Sequence, residues 1–174
     1  MKLNLGCGVT KFEGYVNCDI SPEVNPDKVV DLERKLPFKD NSVDEIVSNH
    51  VFAQINNFIP LMHELHRICK KGAVLKIKVP FYSYPSYYTD PTHVRFFTPF
   101  TFNLFSSKDF RHEVRAKEDM FFVRKNKINF SIGPLGKVNF LINPLINLNK
   151  KIYCRFFSWI FPAAEIEFEL VVLK

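Results

Sequence analysis

Short apolar or β-branched runs alternate with turn-rich and helical text through the first eighty residues, and this alternation points to an α/β domain with a largely parallel sheet. Lys2–Cys7 reads as a first strand, Tyr15–Ile20 as a second, Lys28–Leu32 as a third, Val43–Asn49 as a fourth and Val74–Pro80 as a fifth. Between the last two, Phe58, Met62, Leu65 and Cys69 recur at helical spacing with Leu61 and Ile68 beside them, so Phe58–Lys71 is predicted as an amphipathic helix. Asn57 is its expected N-cap, and Lys70, Lys71 and Gly72 suit its carboxyl end. Only seven residues separate Cys7 from Tyr15, whereas a parallel crossover takes a dozen or more. The first helix must therefore be shortened to a turn or lost.

After Pro80 the text changes. Phe81–Phe105, rich in Tyr, Pro and Phe, reads as a lid, with helix expected around Phe100–Phe110. Phe121–Ile132 and Ile166–Leu173 alternate as strands and can pair as a terminal antiparallel hairpin. Between them, Ile146–Phe161 plots as a helix with Leu148, Ile152, Tyr153, Phe156, Phe157, Trp159 and Ile160 on one side, and Asn147, Lys150, Lys151, Arg155 and Ser158 on the other. The 174 residues suit one domain, with a cofactor-binding half over 1–80 and a substrate and lid half over 81–174 that carries a basic insertion at 133–162. The 19 Phe residues favour a core or pocket built largely from rings.

The net charge is +6, and residues 90–174 hold most of it, with 13 basic against 8 acidic side chains. Met120 to Ala164 contains Arg124, Lys125, Lys127, Lys137, Lys150, Lys151 and Arg155 and no Asp or Glu. Such a stretch suits an acidic substrate, a phosphate-bearing lipid or a membrane surface. The apolar side of Ile146–Phe161 therefore has two readings, packing on the sheet or lid, which is the commoner fate, or peripheral contact with a membrane interface. Nucleic acid fits poorly, because the bases are few and interleaved with Phe and Ile rather than forming a stripe. Cys7, Cys18, Cys69 and Cys154 show neither metal-ligand nor disulfide spacing and read as free thiols. With no secretory leader pattern and no apolar run near the ~20 residues of a spanning helix, a cytoplasmic location is expected.

Leu3-Asn4-Leu5-Gly6-Cys7-Gly8 is an apolar strand running into a Gly-x-Gly turn, placed where open α/β sheets bind ligands. The third glycine of the dinucleotide fingerprint is absent, since Lys11 stands there, and Asp19 follows Gly6 by 13 residues rather than about 20 after the motif. Both departures disfavour a nicotinamide cofactor. The order LNLGCG, NCDIS, DLERKLPFKDNSVDEIVSNHVF and a helix ending HRICKKGAVLKIKVP resembles the class I S-adenosylmethionine-dependent methyltransferases, in particular small members with the methyltransferase type 11 pattern. The resemblance covers about residues 2–105. It implies a Rossmann-like, mostly parallel sheet with a C-terminal antiparallel hairpin and a shortened first helix, and S-adenosyl-L-methionine as cofactor.

Under that resemblance Gly6, Cys7 and Gly8 form the loop beneath the methionine moiety, and Asp19 accepts hydrogen bonds from both ribose hydroxyls. Ile20 packs on the adenine, Asp31 accepts from its amino group, and the Leu32 backbone reads the ring edge. Asn49 and His50 stand near the methionine end and the methyl. Read without it, Gly6 and Gly8 make an ordinary tight turn, Asp19 caps the turn before Ser21-Pro22, and Asp31 is a solvated strand end. His63 and His66, one helical turn apart, lack an evident third ligand and read as solvated or capping rather than as a metal site.

A second constellation runs from Tyr82 to Phe97, after the fifth strand and so on the cofactor edge of the sheet. Its polar groups Asp90, His93 and Arg95 lie among rings, as in an oriented substrate pocket. Tyr82, Tyr84 and Arg95 are taken as substrate-binding, and His93, His50 and Asp90 as catalytic, with His93 the candidate general base. The alternative is that His93 is tied to Asp90 and that catalysis is alignment alone. Val51-Phe52-Ala53-Gln54-Ile55 departs from the family pattern by placing Ala and Gln where Glu and His commonly stand. Two functions follow: a methyltransferase acting at O or N of a small, sugar- or lipid-linked acceptor, or a catalytically weak cofactor-binding protein at a membrane or in a complex.

Overall fold

The structure, a computed structural model, describes residues 1–106, 109, 112–116 and 118–174. Among these, seven strands build one mixed sheet: β1 (Lys2–Leu5), β2 (Val16–Asp19), β3 (Lys28–Val29), β4 (Val43–Asn49), β5 (Cys69–Pro80), β6 (Phe121–Asn129) and β7 (Glu165–Val172). Their spatial order is β3-β2-β1-β4-β5-β7-β6. The first five are mutually parallel, and β7 slots antiparallel between β5 and β6. Leu3, Leu5, Ile46, Leu75, Ile77 and Val79 are fully or almost fully buried, as expected for strands in the middle of such a sheet. Order reverses between β1 and β4, so their carboxyl ends splay and leave a crevice.

Helix α1 (Phe58–Ile68) buries Phe58, Leu61, Met62, Leu65 and Ile68, the stripe its spacing predicts. Each such side chain contributes about 1.5–3 kcal/mol on burial. The helix ends at Ile68 rather than Lys71, because Cys69 is extended and already opens β5. Asn57 sits at the N-cap position without a side-chain cap; Glu33 instead takes the Asn57 N–H. Phe58 is the centre of a ring cluster, with Phe52, Phe97, Phe102 and Phe105 at centroid distances of 5.6–6.0 Å. The aromatic excess of the lid segment is thus largely core. Thr101–Phe105 forms a short 3-10 turn, and part of the helix expected over Phe100–Phe110 lies outside the described residues.

No helix joins β1 to β2. Residues 6–15 turn back over two buried asparagines. Asn4 donates to the Thr10 carbonyl and to Asn17 Oδ1, and Asn17 Oδ1 also accepts from the Phe12 N–H. These side chains satisfy the loop that replaces a crossover helix.

The link between β6 and β7 differs most from expectation. Helix α2 (Asn139–Leu148) starts earlier than predicted and stops at Asn149, whose extended backbone (φ −140°, ψ 90°) breaks the continuous helix expected over Ile146–Phe161. The Asn149 side chain then caps a new turn, Lys150–Ile152, that passes into a π-helical turn at Tyr153–Phe157. The cause lies in Asn139, Asn143 and Asn147, four residues apart on one helical face. They accept from the N–H groups of Ser131, Phe130 and Ile128, at 2.9 Å each. Asn139 and Asn147 donate back to the Ser131 and Ile128 carbonyls, and Asn143 donates to Asn129 Oδ1. Three side chains thereby stand where a neighbouring strand would pair. The inward face of α2 is consequently polar, and Phe140, Leu141, Leu145 and Leu148 are turned outward. Of the apolar side predicted to pack, only Tyr153 is buried.

Candidate functional site

The carboxyl ends of β1, β2 and β4 open into one cavity of about 390 Å³, within the size range of small-molecule sites. Gly6, Gly8, Asp19, Ile20, Asp31, Leu32, Asn49 and His50 all line it. Cys7 lies in the same turn but is buried beneath it, and burial followed by the Asp19 charge pushes its thiol pKa up. Gly6 has φ +68°, and a β-carbon built there would stand 2.1 Å from Val51 Cγ2. Only glycine leaves both the turn and the cavity intact. Val30, Glu33, Val51, Gln54 and Ile55 complete the lining; sequence reasoning assigned these no binding role.

Asp19 is anchored from both oxygens. Oδ2 accepts from the Gly8 N–H at 2.8 Å and Oδ1 from the Ser21 N–H at 3.0 Å. A carboxylate has about four acceptor sites, so two remain for a ligand. The turn-capping alternative for Asp19 and the cavity placement therefore coexist. Asp31 accepts from the Glu33 N–H and pairs with the exposed Arg34. Glu33 bridges the rim: its carboxylate accepts from the N–H groups of Asn56 and Asn57. Burial alone would raise the Glu33 pKa, but these bonds outweigh it and hold the carboxyl low.

A second cavity, of about 330 Å³, shares His50 and Gln54 with the first and is otherwise lined by Pro80, Tyr84, Asp90, His93, Ile132 and Ala164. The structure thus brings the predicted Tyr84, Asp90, His93 and His50 together around one cavity. It does not bring in Tyr82 or Arg95. The Tyr82 hydroxyl donates to the Cys154 carbonyl and meets Ser158 Oγ, so this ring fastens the segment before β7. Arg95 donates to the carbonyls of Ile55 and Asn56 and lies over Phe58, holding the loop that carries Gln54. Both nitrogens of His93 are engaged, Nδ1 with the Tyr87 carbonyl at 2.9 Å and Nε2 with Asp90 at 3.6 Å, and its ring stacks on Tyr87. The Thr92 hydroxyl and N–H hold the Asp90 carboxyl below its ordinary pKa.

His50 is the side chain at the junction. Its backbone is left-handed (φ 59°) and its N–H donates to the Lys78 carbonyl at 2.8 Å. Its Nε2 lies 3.2 Å from Glu165, the first residue of β7. Glu165 is buried and also accepts from Asn129 Nδ2 at 2.9 Å. No motif marks Glu165; it reaches the site only because β7 inserts beside β5, pairing it with Pro80. Burial would raise its pKa, but the bonds from His50 and Asn129, with Lys78 nearby, outweigh it and hold the carboxyl below its usual 4.5. A group so lowered stabilises the fold fully above its ordinary value and loses that contribution as pH falls through the folded-state value. Glu165→Gln is expected to cost about 1.5–3 kcal/mol at neutral pH. It should also lose less stability than the parent on acidification below about pH 5, as thermal melts across the acid range will show.

His63 and His66 use Nε2 on the carbonyls of Val114 and Leu173. Among the described residues, no three His, Cys, Asp or Glu side chains gather as a metal-holding group, and no helix is long and apolar enough to cross a membrane.

Strand order β3-β2-β1-β4-β5-β7-β6, with a glycine turn after β1 and an acidic residue closing β2, defines the class I S-adenosylmethionine-dependent methyltransferase fold. Residues 3–77, a little under half of the chain, match the sequence family described as a methyltransferase domain. An S-adenosylmethionine-dependent methyltransferase from Archaeoglobus fulgidus is similar over 98% of this chain and 85% of its own, at TM-score 0.63 and 18% identity. The partner of the Trm112 methyltransferase activator in a Haloferax volcanii complex aligns over 99% and 82% at TM-score 0.58 and 17% identity. A Haemonchus contortus phosphoethanolamine N-methyltransferase, solved with phosphomonomethylethanolamine and S-adenosylhomocysteine, aligns over 99% of this chain at TM-score 0.57 and 16% identity. This chain spans 48% of that enzyme's length. At these identities the likenesses concern the fold. No curated protein sequence matches the chain.

Proposed function

We propose that the chain moves the methyl of S-adenosylmethionine to an oxygen or nitrogen of a small, sugar- or lipid-linked acceptor seated in the cavity of Tyr84, Asp90 and His93. The single observation that carries this is the pair of adjoining cavities meeting at His50 and Gln54, one floored by the glycine turn and Asp19, the other by the post-β5 segment. The first cavity fits the cofactor's chemistry. It offers a glycine turn with no room for a β-carbon at Gly6, a carboxylate with spare acceptor capacity and apolar walls at Ile20 and Leu32.

When bound, S-adenosylmethionine supplies an electrophilic sulfonium methyl. The chain's own groups then divide the work. Asp19 accepts from the ribose hydroxyls, Asp31 from the adenine amino group, and the Leu32 backbone meets the ring edge. Gly6, Cys7 and Gly8 give backbone at close approach to the methionine portion, and Asn49 and His50 border the reacting end. His50, its Nε2–H donated to Glu165, is the residue placed to orient an acceptor hydroxyl or amine, and its Nδ1 is the ring nitrogen left to take a proton. His93 and Asp90, bonded to Tyr87 and Thr92, position the acceptor rather than move protons. Gln54, which stands where the family pattern has His, keeps that wall neutral.

Calorimetric titration with S-adenosylhomocysteine, with NADH as control, tests the cofactor half of this reading. Binding of the first and not the second is expected, and the reverse pattern, or none, overturns it. Methyl transfer from labelled cofactor into extract fractions tests the acceptor half; failure across all fractions would favour a catalytically silent cofactor-binding protein.

A further inference from the structure

Helix α2 is inside out. Its asparagines face the edge of β6, so its leucines and phenylalanine face away from the protein, with Phe140 85% and Leu148 86% exposed. Phe157 and Phe161 share a groove with Leu145 and Leu148, and Phe156, Trp159 and Ile160 of the same segment are exposed as well, Trp159 to 65% with its ring against Tyr82. That groove, of about 480 Å³, lies between the helix and this segment and is walled by Ile142, Leu145, Ile146, Ile152, Tyr153 and Phe157. Water-facing apolar surface of this extent marks a contact site in a folded protein. Lys150 and Lys151 directly precede the groove's wall residue Ile152 in the chain, Arg155 lies over the exposed Phe156 at 5.5 Å, and the 45 residues from Met120 to Ala164 carry no acidic side chain. Lys127 and Lys150 line a further cleft along α2.

The geometry points to an anionic bilayer as the occupant of this face. Bulky exposed apolar side chains with Lys127 and Lys150 beside Phe140 and Arg155 over Phe156, and an exposed indole in the same segment, match the acyl–headgroup boundary, where apolar groups enter and long cationic chains reach anionic phosphates. A protein partner covering the same face would have to supply several carboxylates for these basic side chains. A second copy of the chain would set those bases against one another. The face also sits at the ligand edge of the sheet. Pro80 at the end of β5 and Asn129 at the end of β6 both pair with Glu165, and Ile132, just beyond β6, lines the His50–Tyr84 cavity. Docking would therefore turn the mouth of that cavity toward the lipid surface. This inference stands apart from the methyl-transfer reading, since vesicle binding needs neither cofactor nor acceptor.

Trp159 is the only tryptophan, so its fluorescence reports on this face alone. The full chain is mixed with vesicles of phosphatidylcholine and with vesicles of equal parts phosphatidylcholine and phosphatidylglycerol. On the anionic vesicles, the Trp159 emission should shift to the blue and be quenched by brominated acyl chains. Sedimentation with them should exceed that with neutral vesicles about tenfold and fall with added salt. The double variant Leu141→Glu, Leu145→Glu, at two exposed positions, should lose all these responses while keeping the parent's melting temperature and S-adenosylhomocysteine binding. Unshifted, unquenched Trp159 in the intact protein overturns the proposal whatever the variant does. So does a stable dimer that the double variant dissociates while vesicle binding is absent, which would assign the face to a second copy.

Discussion

Asp19→Ala is expected to weaken S-adenosylhomocysteine binding roughly a hundredfold or more, since each hydrogen bond to a charged group is worth about 1.5–3 kcal/mol and the carboxylate has sites for two ribose hydroxyls. The same change frees the Gly8 N–H that now rests on Asp19 Oδ2, leaving the Cys7 N–H on the Cys18 carbonyl to tie the glycine turn to β2. Asp19→Asn separates the two contributions. One oxygen survives in the amide, and a loss of about tenfold is the expected outcome if charge and the second acceptor carry the rest. Asp19→Ala also forfeits the bonds from the Gly8 and Ser21 N–H groups and should melt below the parent, and Asp19→Asn, which keeps one acceptor oxygen, should melt between the two. Calorimetry and melting curves on the three proteins decide the matter. Unchanged affinity in Asp19→Ala would remove Asp19 from the cofactor site.

The second large effect belongs to Gly6. An alanine there meets two independent penalties, a left-handed backbone costing about 1–2 kcal/mol and an overpacked contact with Val51 costing about 1–3 kcal/mol. A fall in melting temperature of roughly 5–15 °C follows for a domain of this size. Affinity for S-adenosylhomocysteine should fall at least about tenfold, because Val51 shares the cavity wall and must move. Val51→Ala added to Gly6→Ala removes the contact and leaves the backbone penalty. A partial recovery of stability in the double variant is therefore the diagnostic result, read as a coupling energy between the two positions. Full additivity would mean that the backbone conformation alone requires glycine.

Most of the first eighty residues were legible because their strands are short apolar runs and α1 has a single unambiguous stripe. The shortened first crossover was legible from spacing alone; the means of closing it, the Asn4–Asn17 pair, was not, because two polar residues inside strands read as noise until the loop folds over them. The cofactor cavity was visible through the order of its motifs. Glu165 was not, since its place beside His50 depends on a β7 register set more than eighty residues after β5. The region between β6 and β7 misled for a definite reason. Helical periodicity separates apolar from polar faces without saying which is inside, and the usual assumption fails when polar side chains have backbone partners to satisfy. The repeat Asn139, Asn143, Asn147 was the available signal, since asparagine at three successive turns of one face weakens a helix unless each amide has somewhere to go.

That asparagine row also bears on how the protein keeps company with itself and with others. An open strand end invites addition of a neighbour's strand, through domain exchange, fibre growth or capture of an extended peptide. From Ile128 to Ser131 the outer groups of β6 are already answered by amides from their own chain. Polymerisation through this stretch is closed off without the charges or prolines that commonly guard a sheet border. Replacing the asparagines with leucine would therefore do more than loosen a helix: it would reopen a templating edge beside an apolar face, and the first symptom in solution would be aggregation.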